Sequence, residues 1–385
     1  LHAQDPRLDS VPAGDVSSTV LQLGLRDVVD RALRNNLATI LGSEAERLAD
    51  AERLQDRADL FPKIDAFIAG ESRQVSLAAF GFSGFPGVGP VIGPFGLFDA
   101  RATFSQKLVD FERRHNLRQS TETHRAATLN NANTRELVVL TAVDQYFQVV
   151  SSQSRVTATE AQLARAKVLH ERAVDLKSAG LVPGIDVLRA EVELRTAEQR
   201  LIQAKNSVEK EKLGLARAIG LPLAQQFTLS DSLPADGQSI PSSEDLLAQA
   251  FSRRSDSQAS EARIRAAQED VKSARGRGLP TLSLKGDYGV IGPALGDSHG
   301  TYSMRVEVRM PVFDRGIDSE TLEKESVLRQ RQAERDSLRG RIELEVRSAL
   351  LDLNSTTEQL RVGLQSQALA EQQLDQGMDR LSGRV

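Results

Sequence analysis

The pattern of apolar and polar positions divides the chain into a few very long helical stretches and four short alternating ones. From about Arg113 to Ser178 no Pro or Gly interrupts a helical pattern, which at 1.5 Å per residue predicts a rod of roughly 100 Å. Leu140, Val143, Phe147, Val150, Ser154, Thr157, Ala161, Ala164 and Val168 keep heptad spacing along it. After the break "KSAGLVPGIDVL" (177–188) a return stretch repeats the spacing with Leu194, Ala197, Leu201, Ala204, Val208 and Leu215, and it stops at Gly220-Leu221-Pro222. Such seams of small residues predict close helix-on-helix packing of coiled-coil type. A polar linker follows over 223–243.

The alternating stretches are "KIDAFIAGE" (63–71), 100–111, 281–290 and 302–313. In the last, Met304, Val306, Val308 and Met310 fall opposite Arg305, Glu307 and Arg309, the period-2 signature of a strand. Each hairpin is entered from an amphipathic helix. The first such helix opens near Asp27, with Val28, Val29, Ala32 and Leu33 on one face, and runs to about Leu60, ahead of Pro62.

These elements come in two copies. "RDVVDRALRNN" (26–36) aligns with "EDLLAQAFSRR" (244–254) at an offset of 218, through to "LFPKI" (60–64) against "GLPTL" (278–282). "FSQKLVDFER" (104–113) matches "VEVRMPVFDR" (306–315) at 202, and 143–182 matches 346–385 at 203. The shorter offset places extra residues near 74–99 of the first copy. The expected layout is an N-terminal exported segment (1–19), repeat 1 (20–222; hairpin 63–111, helical hairpin 113–220), the linker, and repeat 2 (244–385; hairpin 280–313, long helix 315–382).

Strands of about 9–11 residues are what a tilted bilayer crossing requires. Four cannot close a membrane barrel, whose minimum is eight, and open edges are forbidden in lipid, so a membrane reading requires several chains to share one barrel. A soluble periplasmic coiled-coil adaptor or scaffold would explain the helices equally well, but not two hairpins recurring at the same place in each repeat.

Composition narrows the choice. Lys+Arg 49 against Asp+Glu 53 gives −4 with the signs interleaved, which argues against nucleic acid. There is no Trp and aromatics are only 4%, fewer large anchors than a compact globule would use, and the absence of Cys excludes disulfides and thiol chemistry. The five histidines lack metal-site spacing. Loop 74–99 misses the phosphate-loop spacing, and no nucleophile–base arrangement stands out, so neither an enzyme nor a cofactor is expected. No run of 18 apolar residues is present, and "LHAQD" reads as the tail of a secretory signal cut after Ala3.

The order of these features resembles the TolC-like outer-membrane efflux channels over about residues 20–385. "LGLRDVVDRALRNN" (23–36), "LFPKI", "GLPTL", "MPVFDRG" (310–316) and "AGLVPGIDVLRAE" (179–191) carry the likeness. The resemblance implies a mainly α fold with a small β part. Three chains would build a 12-stranded β-barrel in the outer membrane, and duplicated helical hairpins would form an α-barrel in the periplasm. It further implies a passive exit duct, set in outer-membrane lipid, for efflux or type I secretion, joined to a periplasmic adaptor and an inner-membrane pump. Gly180, Leu181 and Val182 would dock the adaptor at the periplasmic mouth. Asp186 has two readings: a carboxylate of a pore ring at that mouth, or an N-terminal charge on the return helix. The closing "LSGRV" (381–385) matches the same tip, with Gly383 and Arg384 in corresponding places, so a further helix is expected beyond it.

Overall fold

The computed structural model describes residues 8–81, 87, 89–231 and 242–382. The elements run β1 (Leu21–Leu23), α1 (Leu25–Asn35), α2 (Leu37–Ala58), β2 (Lys63–Ser76), β3 (Val91–Val109), α3 (Phe111–Ser178), α4 (Gly184–Ala218), β4 (Phe227–Leu229), α5 (Ser243–Arg253), α6 (Ser255–Gly276), β5 (Thr281–Gly292), β6 (His299–Arg309) and α7 (Arg315–Ser382). The two halves share one element order. α1 and α5 each have 11 residues, α2 and α6 each have 22, and α3 and α7 each have 68.

Local chemistry repeats with the lengths. Gly24 N–H donates to Asp27 Oδ2 at the start of α1, and Ser242 Oγ accepts from Asp245 N–H at the start of α5. The helix expected to run from Asp27 to Leu60 is broken at Asn36, whose extended backbone ends α1, and Arg254 ends α5 the same way. Asn36 is buried there. Its Oδ1 accepts from Ala38 N–H at 3.0 Å and its Nδ2 donates to the Ala218 carbonyl at 3.3 Å. At the second break Arg254 pairs with Asp256 (2.8 Å) and Glu345 (2.7 Å).

The described residues fall into two compact units that cut across both halves. One comprises Leu1–Glu46, Ala127–Ser257 and Arg339–Val385; the other Arg47–Ala126 and Gln258–Leu338. The first is centred on Val28, Ala32, Val138, Ala142, Tyr146, Val149, Leu215, Ile219, Leu221 and Phe227. β1 and β4 pair in parallel across this core, Leu21 with Phe227 and Leu23 with Leu229, so the stretch read as a linker contributes a strand. Tyr146 is fully buried; its hydroxyl donates to Asp231 Oδ2 and accepts from Asp231 N–H, both at 3.2 Å. The Leu25 N–H, donating to Asp231 Oδ2 at 2.7 Å, holds that carboxyl below its ordinary value, while burial raises the Tyr146 phenol.

The seam expected on α3 is met in part: Val150 is buried in the core and Phe147 packs against it. Leu140 is 64% exposed and Val168 is also open, whereas Val138, Ala142, Tyr146, Val149, Ser152 and Ala166 are buried. On α4 the expected residues Ala197, Ala204, Val208 and Leu215 are the buried ones. In the second unit Ala259, Ala262, Ala266, Ala267 and Ala274 are the buried small residues of α6. A side chain at Gly276 would meet the backbone of Phe111 and Glu112 at about 3 Å, so α6 and α3 approach too closely for anything but glycine.

The second unit also carries a four-stranded sheet in the order β2-β3-β5-β6, every neighbour antiparallel. Its strands have 14, 19, 12 and 11 residues rather than a uniform ten. Much of 74–99, read as a loop, is therefore strand, because β2 runs on to Ser76 and β3 already begins at Val91. Residues 82–86 and 88 of that loop lie outside the described residues. β6 stops at Arg309 instead of 313, where Pro311 lacks the N–H a ladder needs.

Candidate functional site

Two surfaces carry chemistry that the packing does not consume: the turn between α3 and α4, and the two faces of the sheet.

The turn is built by glycine. Gly180 adopts φ +73°, its N–H bonds the Lys177 carbonyl at 2.9 Å, and the Leu181 N–H reaches the Leu176 carbonyl at 2.8 Å. This pair of bonds is the Schellman ending of a helix, which satisfies carbonyls that α3 leaves open. Pro183 then caps α4 in extended conformation, as its fixed φ and missing N–H favour. Leu181 stands 71% exposed and Val182 is half-buried. Asp186 sits in the first turn of α4, where a carboxylate complements the helix dipole, and Arg189 pairs with it at 3.3 Å. Ile185, Leu188 and Val192 extend the exposed apolar stripe along α4. Sequence reasoning missed them, although their spacing of three and four was readable. Gly383 and Arg384 lie outside the described residues.

Strict alternation gives the sheet two unlike faces. On one, Ile64, Ile68, Phe104, Leu284, Tyr288, Tyr302, Met304, Val306 and Val308 come together by register. Ile68 (77%), Tyr302 (80%) and Met304 (77%) are left open. Met310, expected on this face, lies past the end of β6. The other face is charged: Arg101 lies between Asp99 (2.5 Å) and Asp287 (3.0 Å), and Glu307 pairs with Lys285 (3.2 Å) and Arg309 (2.8 Å). Eleven residues at about 3.4 Å each, tilted by about 45°, rise about 25 Å, the height of the apolar band of an outer-membrane barrel. β2 and β6 form the sheet's two edges.

Among the described residues no helix is long and apolar enough to cross a membrane, and no group of His, Asp and Glu has the makings of a metal site.

Comparison with known proteins agrees with this geometry. The probable efflux pump outer membrane protein TtgC of Pseudomonas putida is 24% identical over 331 residues, covering 81% of this chain and 66% of that protein. The pyoverdine export outer membrane protein OpmQ of Pseudomonas aeruginosa is 26% identical over 307 residues, 76% of this chain and 62% of its own length. The chain thus spans a little under two thirds of these relatives. In three dimensions it resembles the outer membrane protein VceC of Vibrio cholerae, with a TM-score of 0.77 at 17% identity, covering 94% of this chain and 86% of that one. The CmeC outer membrane channel of Campylobacter jejuni follows the same fold, with a TM-score of 0.70 at 20% identity over 87% of this chain and 73% of its own. A family model described as outer membrane efflux protein matches residues 28–221 and 246–382, so both repeats are included, and the chain belongs to the outer membrane efflux protein family.

Proposed function

We propose that the chain is one protomer of a trimeric outer-membrane channel, the passive exit duct of a small-molecule efflux or type I secretion system. The observation that carries this reading is the sheet: an apolar face open to its surroundings, a charged face behind it, and two edge strands. In lipid an edge cannot stay open, so β6 of one protomer would pair with β2 of the next, and three copies would close a 12-stranded barrel. The charged face would line the lumen. A soluble periplasmic adaptor has no use for such a face, which in water would drive aggregation.

In the same reading the turn at 179–188 docks a periplasmic adaptor, itself joined to an inner-membrane pump. Gly180, Leu181 and Val182 offer it a small, apolar surface. Asp186 would contribute to a carboxylate ring at the pore mouth, tempered by Arg189; on that assignment Asp186→Asn lowers the cation preference of the reconstituted channel, read from its reversal potential. The duct works without catalysis or cofactor.

The deciding experiment is the mass of the protein extracted from outer membranes in detergent. A trimer supports the shared barrel. A stable monomer would leave four strands unable to close and would sink the reading.

A further inference from the structure

The charged face of the sheet is banded. The register places Lys63, Ser105, Lys285 and Arg305 in one row across all four strands, with three cations and no carboxylate. The adjoining row, Asp65, Thr103, Asp287 and Ser303, holds two carboxylates and no cation. Lys285 stands directly opposite Arg305, and like charges in that relation destabilise a strand pair. On the other side of the basic row lies a cavity of about 290 Å³, into which Lys63, Lys107, Arg113, Lys285 and Arg309 project.

Three carboxylates partner these cations, and each is shared. Asp59 takes both Lys63 (2.8 Å) and Arg113. Asp110 takes Lys107 (2.7 Å) and, at 3.5 Å, Arg113. Glu307 takes Lys285 and Arg309. Five cations around the cavity therefore meet three acids, and Arg305 adds a sixth cation to the row above. Ser105 and Ser283 supply neutral donors to the same cavity. An anion seated here would relieve the opposition of Lys285 and Arg305 and take up donors that the shared carboxylates leave over.

We infer that this row and the cavity beside it form an anion-binding collar on the luminal side of the conduit, taking solutes that carry carboxylate or phosphate groups. The inference rests on the channel reading, since only a closed barrel turns this face inward. There three copies of the row would encircle the path, and a low-dielectric wall would focus their field.

The test uses the full protein in planar lipid bilayers, with inorganic pyrophosphate as the probe. Single-channel conductance in KCl comes first: its absence overturns the channel reading, and the collar falls with it. In a conducting channel, the collar predicts that pyrophosphate reduces the current. The double substitution Lys285→Gln/Arg305→Gln should raise the concentration needed by about tenfold or more, and added salt should weaken block in the native channel. Lys285→Arg, which keeps the charge, should retain block. Both variants are first checked for the native oligomer and circular dichroism. A variant that does not assemble is replaced by Lys63→Gln, on an outer strand of the same row. A conducting channel indifferent to pyrophosphate, or blocked equally in the native and charge-free forms, overturns the collar and leaves the channel reading standing.

Discussion

Two glycines with the same backbone show how a single residue's surroundings set its worth. Gly180 and Gly220 both sit at φ +73°, and each is followed by an N–H that reaches back five residues, from Leu181 to Leu176 and from Leu221 to Ala216. A side chain at Gly180 would meet nothing within 4 Å, whereas one at Gly220 would lie 2.5 Å from Asn35 Cβ and 2.9 Å from the Val11 carbonyl. Gly180→Ala should therefore cost only the left-handed strain, about 1–2 kcal/mol. Gly220→Ala adds a clash to the same strain and should lower the melting temperature clearly further when the two are compared by thermal denaturation. Tyr146 offers a second case. Its ring fills the core and its hydroxyl ties Asp231 to the helices, so Tyr146→Phe should cost about 1 kcal/mol and Tyr146→Ala about 3–5 kcal/mol, read from the same melts.

At the scale of elements, periodicity identified the helices and strands but ranked faces unevenly. The starts of β2 and β5 and the return-helix seam were readable, because Pro62 and Pro280 fix where a helix must end and because Ala197, Ala204 and Val208 are small residues recurring at helical spacing. The start of β3 at Val91 was not. The α3 seam was placed only in part, since Phe147 and Val150 reach the core whereas Leu140 and Val168 do not. Spacing alone could not tell the stripe around Leu140 from the stripe around Tyr146, which is selected by its packing against Val28 and Leu215. β1 and β4 escaped notice because three-residue strands have no period to detect and pair across most of repeat 1. Of the turn residues, Gly180 and Asp186 could be assigned a local backbone or dipole role in advance, while Ile185 and Leu188 emerge as exposed only once α4 is packed. The sheet yields the sharpest element-level prediction. Met304→Arg, on the apolar face, should cost about 2–4 kcal/mol and reduce the folded fraction in lipid vesicles, while Arg305→Met, one residue on and facing the other way, should leave insertion intact.

For the whole molecule, the face of α3 left open gives a handle on assembly. Leu140 is mostly exposed in the protomer, although it belongs to a heptad row that looks built for helix contact. In a ring of protomers a neighbouring helix would cover it. If the proposed trimer forms, Leu140→Glu should leave helix content unchanged by circular dichroism and shift the detergent-solubilised protein from trimer toward monomer; a variant that remains fully trimeric would place that row outside the subunit contact. α7 is likewise exposed from Leu351 to Gln373.

The pairing of β3 with β5 has a consequence for how the protein is made. Phe98 lies against Gly292, and between them the chain must pass through α3, α4, α5 and α6. The β2–β3 hairpin can zip locally, but the sheet's middle seam has to wait for the second repeat. Until then the edge of β3 that β5 covers, from Phe98 to Val109, stands unpaired, and any other strand could capture it. Contacts so distant in sequence close slowly. The duplication that lets one chain supply four strands thus imposes a timetable: helices early, the central sheet seam late, and an adhesive edge to be kept apart from other chains during the interval.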